Sequence, residues 1–155
     1  MVIVKSKAGT GGMRGARMAN LVARLMRPVL IWHHRRHGDT FRGREVLYLS
    51  TVGARTGQRR RTALGYLADG EDALLVVASM GGAAHNPGWY HNIVAHPDQV
   101  WIEVRGRRHR VTPEQLEAEP RAEAWVRITT SRPSMAQYQE KTDRILPILR
   151  LTRAE

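Results

Sequence analysis

VLYLSTVGARTGQRRRTALGYLADGEDALLVVASMGGAAHNPGWYHN, residues 46–92, decides how this chain folds. Three apolar runs alternate in it with turn residues. Val46–Thr51 is rich in β-formers and stops at Gly53. Arg60–Leu67 resumes after Gly57, and Asp69-Gly70 hands the chain to Ala73–Ser79, a hairpin signal. Between the first two runs, residues 52–61 carry Arg55, Arg59, Arg60 and Arg61 and no acid. Guanidiniums crowded in this way repel unless an anion sits among them, and the loop glycines let backbone N–H groups turn toward it. The spacing predicts a phosphate- or carboxylate-binding loop mounted on a sheet. The competing reading is a basic loop that only faces water.

Downstream, Met80-Gly81-Gly82 leads to HNPGWYHN, residues 85–92. Asn86 as N-cap and Pro87 in the first turn predict a short helix to about Ala95. Its amino end, beside Gly81 and Gly82, is a second place for N–H groups to meet an anion or a polarised carbonyl. Trp89 taken singly reads as core. Gln99–Arg105 alternates as a strand, Gly106 turns, and Arg107–Thr112 returns, with His109 a surface strand residue rather than a base. Pro113–Thr130 is helical with a break or kink at Pro120, and Pro133–Asp143 makes another helix carrying Tyr138. Ile145–Thr152 reads as a last strand. Pro147 confines it to an edge or to a position where no N–H is required.

Upstream, residues 1–12 offer little to bury and read as disordered. Residues 13–36 read as a basic amphipathic helix, kinked at Pro28. Met18, Leu21, Val22, Leu25, Val29 and Trp32 form its stripe, with Arg17, Arg24 and Arg27 nearly opposite. The stripe either packs on the domain or lies on anionic lipid with Trp32 at the interface. His33, His34 and His37 follow, but Arg35 and Arg36 beside them oppose a cation, so no metal is expected.

The 155 residues suit one domain, with residues 37–155 as its body. No Cys is present, which excludes disulfides and thiolate chemistry. No apolar run reaches the roughly 20 residues of a membrane span, and no signal-peptide core appears, so a cytoplasmic protein is expected. The net charge of +11 is uneven: residues 46–66 hold 4 basic and no acidic side chains, residues 67–100 the reverse, 0 and 4. That clustering suits an anionic ligand together with a membrane or nucleic-acid surface. Aromatics are scarce (6%) and no nucleic-acid motif is present, so nucleic acid is the weaker partner. There is no Ser-His-Asp set, carboxylate pair or Walker loop. The residues alone lead to an α+β fold, a small barrel of about six mostly antiparallel strands with marginal helices. They also lead to an elongated anion bound between an Arg loop and a Gly-Gly turn.

TVGARTGQRRRTALGYL, VVASMGGAAHNPGWYHNIVAHP and YQEKTDR together resemble the deazaflavin-dependent nitroreductase and quinone reductase family, and the likeness runs from Trp32 to Leu151. The resemblance implies a split β-barrel and coenzyme F-420, an 8-hydroxy-5-deazaflavin with a phosphodiester and an oligoglutamate tail. Flavin mononucleotide is the runner-up cofactor. By motif position Arg55, Thr56, Gly57 and Arg60 would hold phosphate and tail. Ser79, Met80, Gly81 and Gly82 would pass under the ring, with Trp89 and Asn92 closing the phosphate side. Ser79 would also hydrogen-bond an acceptor oxygen, and Tyr138 would lie over the substrate pocket on a mobile lid. The chain departs from the family pattern at Met80, at Arg59, and at Arg132 and Met135 in the lid. The implied reaction is hydride transfer to a quinone, enone or nitro-type small molecule, by a monomer or homodimer, with an anionic membrane surface as a further partner.

Overall fold

Alternation along residues 44–52 puts Leu47 and Leu49 on one face of a strand and Tyr48 and Ser50 on the other, and the whole sheet grows from this strand. The computed structural model describes Gly9, residues 40–41 and residues 44–154. The basic helix over residues 13–36, His33, His34 and His37, and all but Gly9 of the segment expected to be disordered lie outside the described residues.

The described strands are β1 (Thr40–Phe41), β2 (Arg44–Val52), β3 (Arg59–Gly65), β4 (Leu67–Asp69), β5 (Ala73–Val77), β6 (Trp101–Val104), β7 (Arg107–Gln115) and β8 (Ile148–Arg153). Among the described residues three α-helices accompany them, α1 (Gly88–Ala95), α2 (Ala118–Ser131) and α3 (Ser134–Glu140), with a short 3-10 turn at Met80–Gly82. Every pairing is antiparallel, in the order β1-β2-β6-β7-β8-β5-β4, with β3 on β2. Only Tyr66 separates β3, which pairs with β2, from β4, which pairs with β5 at the far end of that order. The run Arg60–Leu67 is therefore nearly one strand, bent at Tyr66, whose two halves join the two ends of the sheet. This closes the split barrel and removes most of its edges. Counted so, and without the two-residue β1, the barrel has the six strands expected.

One core cluster fills the barrel and takes in Leu47, Leu49, Val76, Ile102, Val111, Leu149, Leu151 and the inner face of α1. A second lies beneath α2, where Leu75, Leu116, Ala124, Ile128 and Ile148 meet. Burial at this scale is the main source of stability, at roughly 1.5–3 kcal/mol per fully buried aliphatic side chain.

Three local expectations are corrected, and a fourth is narrowed to one of its alternatives. Pro113 lies inside β7, not at a helix start; β6 has already left β7 at Arg110, so Pro113 pairs on one side only and its missing N–H costs little. Pro120 is the third residue of α2, where an N–H has no intrahelical partner, so the helix does not break there. Of the two places open to Pro147, the structure takes the second: β8 lies between β7 and β5, and Pro147 precedes it where no N–H is required, giving its carbonyl to the N–H of Ala78 at 2.9 Å. Asn86 does not cap α1, whose N-cap is Pro87 with no side-chain cap bond.

Candidate functional site

The arginine loop is closed on itself before any ligand is considered. The N–H of Gly53 donates to the carbonyl of Gln58 at 2.8 Å, and that of Gly57 donates to the carbonyl of Gly53 at 2.8 Å. Gly57 has φ 63°, a conformation that costs glycine nothing. Thr56 Oγ1 accepts from the Gln58 N–H at 3.4 Å. Helix α1 grips the loop through Asn92: its Nδ2 donates to Thr51 Oγ1 at 3.0 Å and its Oδ1 accepts from the Ala54 N–H at 3.0 Å. Asn92 thus stands beside the loop, with both ends of its amide engaged in fixing the loop on the sheet. Trp89 is 7% exposed and belongs to the barrel core.

Strand register sorts the four arginines. Arg61 lies opposite Ser50, and Arg60 opposite Thr51, so consecutive guanidiniums leave opposite faces. Arg61 pairs with Glu103 at 2.8 Å and stands 4.5 Å from the Tyr48 ring centroid. Arg59 and Arg108 flank Trp101, at 4.8 and 5.3 Å from its centroid. Arg60 donates to Gln58 Oε1 at 3.3 Å, and Arg55 is exposed. Neither Arg55 nor Arg60 has a carboxylate partner among the described residues. These two remain for an anion, on a loop that has no acid of its own.

β5 leaves the sheet at Val77 and enters a turn in which Met80, Gly81 and Gly82 have φ of 48°, 66° and 84°. A Cβ on Gly82 would stand 2.5 Å from the carbonyl oxygen of Tyr138 and 2.8 Å from Cβ of Lys141, so the end of α3 rests directly on the turn. Behind the turn lies Arg144, which is 3% exposed. Its Nε donates to the carbonyl of Ala83 at 2.6 Å and its Nη1 to Asn86 Oδ1 at 2.7 Å. Its Nη2 donates to the carbonyls of Ala78 and Ser79 at 3.0 and 2.8 Å. No residue-by-residue reading singled out Arg144; only its place at the end of YQEKTDR marked it.

Where the barrel bends at Tyr66, a cavity of about 300 Å³ opens beneath α2 and α3, lined mainly by apolar groups with Gly65, Tyr66, Ser79, Arg132 and Met135 among them. Ser79 faces this cavity, whereas Tyr138 is not among its lining residues. Tyr138 instead carries Lys141 Nζ at 5.5 Å from its ring centroid. Tyr66, which sequence reasoning passed over, donates its hydroxyl to Glu45 Oε2 at 2.8 Å. Burial first, then that bond, pushes the Tyr66 phenol up to about 12, so it stays protonated at neutral pH. Hydrogen bonds from Arg105 and then Tyr66 hold Glu45 below the usual carboxylate range. Arg132 donates to the carbonyl of Tyr66, a group the bend would otherwise leave without its strand partner. Among the described residues no three His, Cys, Asp or Glu side chains gather as metal ligands would.

Residues 26–153 match the family described as F420H(2)-dependent quinone reductase. A protein of Mycobacterium tuberculosis with that same description is 44% identical over 110 residues, which is 69% of this chain and 72% of that protein. A solved F420-H2 dependent reductase superposes with a TM-score of 0.61 at 31% identity, covering 68% of this chain and 92% of the other. A further solved structure, described as a domain-swapped dimer, superposes with a TM-score of 0.63 at 28% identity, covering 86% and 98%.

Proposed function

Because this chain belongs to the F420H(2)-dependent quinone reductase family, we propose that the arginine loop, the glycine turn and the cavity at the barrel bend form one active site. The protein is an oxidoreductase that uses coenzyme F-420 and reduces a quinone-type acceptor. When bound, the reduced coenzyme supplies a hydride to the acceptor. The protein positions the partners and excludes water.

Arg55 and Arg60 hold the coenzyme's phosphate and tail, with Thr56 and Gly57 shaping the loop between them. Asn92 and Trp89 support the loop from α1. Ser79, Met80, Gly81 and Gly82 form the bed for the ring. Ser79, facing the cavity, donates a hydrogen bond to the acceptor oxygen that gains charge. The apolar walls suit a quinone ring and keep out water, which strengthens that bond. Tyr138, whose backbone rests on Gly82, is the hydroxyl proposed for proton delivery. Arg132 and Met135 at the cavity set which acceptors enter.

One observation supports the coenzyme assignment: two cations without carboxylate partners among the described residues, on a loop that has no acid of its own, suit a ligand with several anionic groups. Flavin mononucleotide, with a single phosphate, would engage fewer of them. Titrating protein into oxidised deazaflavin coenzyme is expected to quench or shift its fluorescence, with flavin mononucleotide bound far more weakly. The opposite preference overturns the assignment.

We further propose that the basic stripe of residues 13–36 meets anionic lipid, bringing the enzyme to apolar quinones at the cytoplasmic face of the membrane. No helix among the described residues is long and apolar enough to cross a bilayer. Co-sedimentation with anionic but not neutral vesicles, lost on deleting residues 1–30, is the expected result. Failure of the intact protein to sediment with anionic vesicles at low salt means the stripe packs on the barrel. A domain-swapped relative makes a homodimer one arrangement open to this chain, alongside a monomer.

A further inference from the structure

The least expected group in the molecule is a guanidinium with almost no access to water and no carboxylate partner among the described residues. Arg144 spends its donors on three backbone carbonyls and one side-chain amide, at 2.6–3.0 Å. Burying a cation this way is costly, and a well-packed apolar side chain often serves stability as well. The four acceptors share a place: Ala78, Ser79, Ala83 and Asn86 bracket the Met80–Gly82 turn on both sides. A trans peptide points its N–H opposite to its C=O. Drawing the carbonyls of Ala78 and Ser79 toward Arg144 therefore turns the N–H groups of Ser79 and Met80 the other way. Neither N–H has an acceptor among the described residues, while those of Gly82 and Ala83 are used within the turn, at 3.0 and 3.3 Å. Met80, a non-glycine residue at φ 48°, is held where an unsupported chain would rarely stay. The buried positive charge also polarises the two peptide units so that their N–H ends become better donors.

We infer that Arg144 is the positioning residue of the active-site turn: it orients the Ser79 and Met80 N–H groups as paired donors to an electron-rich oxygen or ring nitrogen of the bound deazaflavin and aims Ser79 into the acceptor cavity. This rests on the function proposed above. Arg144 itself lies behind the turn and contacts neither coenzyme nor acceptor. A lysine there keeps the charge but can reach only some of the four acceptors, because it lacks the planar fork.

Two measurements test this with oxidised deazaflavin coenzyme as the probe. In wild-type protein, hydrogen exchange at the Ser79 and Met80 amides is expected to slow on adding coenzyme, since each gains an acceptor. Unchanged exchange at both in a saturated complex overturns the inference. In Arg144→Lys, with folding checked by a cooperative thermal melt, coenzyme affinity by fluorescence is expected to fall about tenfold or more. That protection should also be lost. A folded variant that binds as wild type, with both amides still protected, overturns the inference too. Should Arg144→Lys not fold, the wild-type exchange measurement decides alone. Wild-type protein that binds no deazaflavin at all would instead overturn the coenzyme assignment, so the two failures are distinct.

Discussion

Arg55, Arg59, Arg60 and Arg61 look interchangeable in the sequence, yet each is placed differently. Arg61 has Glu103 and Tyr48, Arg59 shares Trp101 with Arg108, and among the described residues Arg55 and Arg60 have no charge or ring partner. Partners contributed from β6, some 40 residues along the chain, cannot be seen by inspecting the loop. Arg60→Ala is expected to raise the coenzyme dissociation constant tenfold to a hundredfold, since a charge-assisted hydrogen bond is worth roughly 1.5–3 kcal/mol. Arg60→Lys should fall between, and Arg107→Ala on the β6–β7 hairpin should change little. Fluorescence titration at low salt checks all three; equal affinities for wild type and Arg60→Ala would mean the loop only solvates the barrel rim. Tyr138→Phe should lower quinone turnover about tenfold with little change in coenzyme affinity, if its hydroxyl delivers a proton. Unaltered turnover would leave Tyr138 a role through its ring and backbone only.

At the scale of elements, the sequence placed most strands and both long hairpins within a few residues. It misplaced what depends on neighbours. Pro113 looked like a helix start because its tolerance in β7 comes from the point where β6 departs. Asn86 looked like a cap because nothing local shows that a buried Arg144, 58 residues away, takes its Oδ1. Asn92, on α1, holds the arginine loop through two bonds to Thr51 and Ala54, a structural link that no reading of neighbouring residues shows. Asn92→Ala should therefore lower unfolding free energy by about 1–3 kcal/mol. It should also weaken coenzyme binding by loosening the loop. Denaturant melts and titrations together check this; an unchanged melt would mean the loop stands without α1.

Across the whole molecule, Asp69 joins three parts of the barrel. From β4 its Oδ1 meets Arg127 Nη1 of α2 at 2.6 Å, and its Oδ2 meets Arg150 Nε of β8 at 2.6 Å. Burial alone would raise its pKa, but the bonds from Arg127 and Arg150 outweigh it and hold the carboxyl below the usual value of 3.8. A carboxyl with a lowered folded-state value contributes stability that is present above 3.8 and lost as pH falls through the folded value. Wild type should lose stability below about pH 3.8 partly through this group. Asp69→Asn should be less stable at pH 7 and should show a shallower loss on acidification. Parallel acid-unfolding curves for the two proteins would remove Asp69 from that role.

Composition, β-propensity and turn residues by themselves determined the strand segments, the acid-free arginine loop, the glycine turn and, through motifs spread along the chain, the family and its coenzyme. These are local properties, written in consecutive residues. The bend at Tyr66 that closes the barrel, the cavity formed there, the division of labour among four arginines and the burial of Arg144 behind the turn were decided only by tertiary structure. Each depends on groups brought together from distant parts of the chain, and hydrogen bonds and ion pairs are set by that proximity rather than by spacing along the sequence.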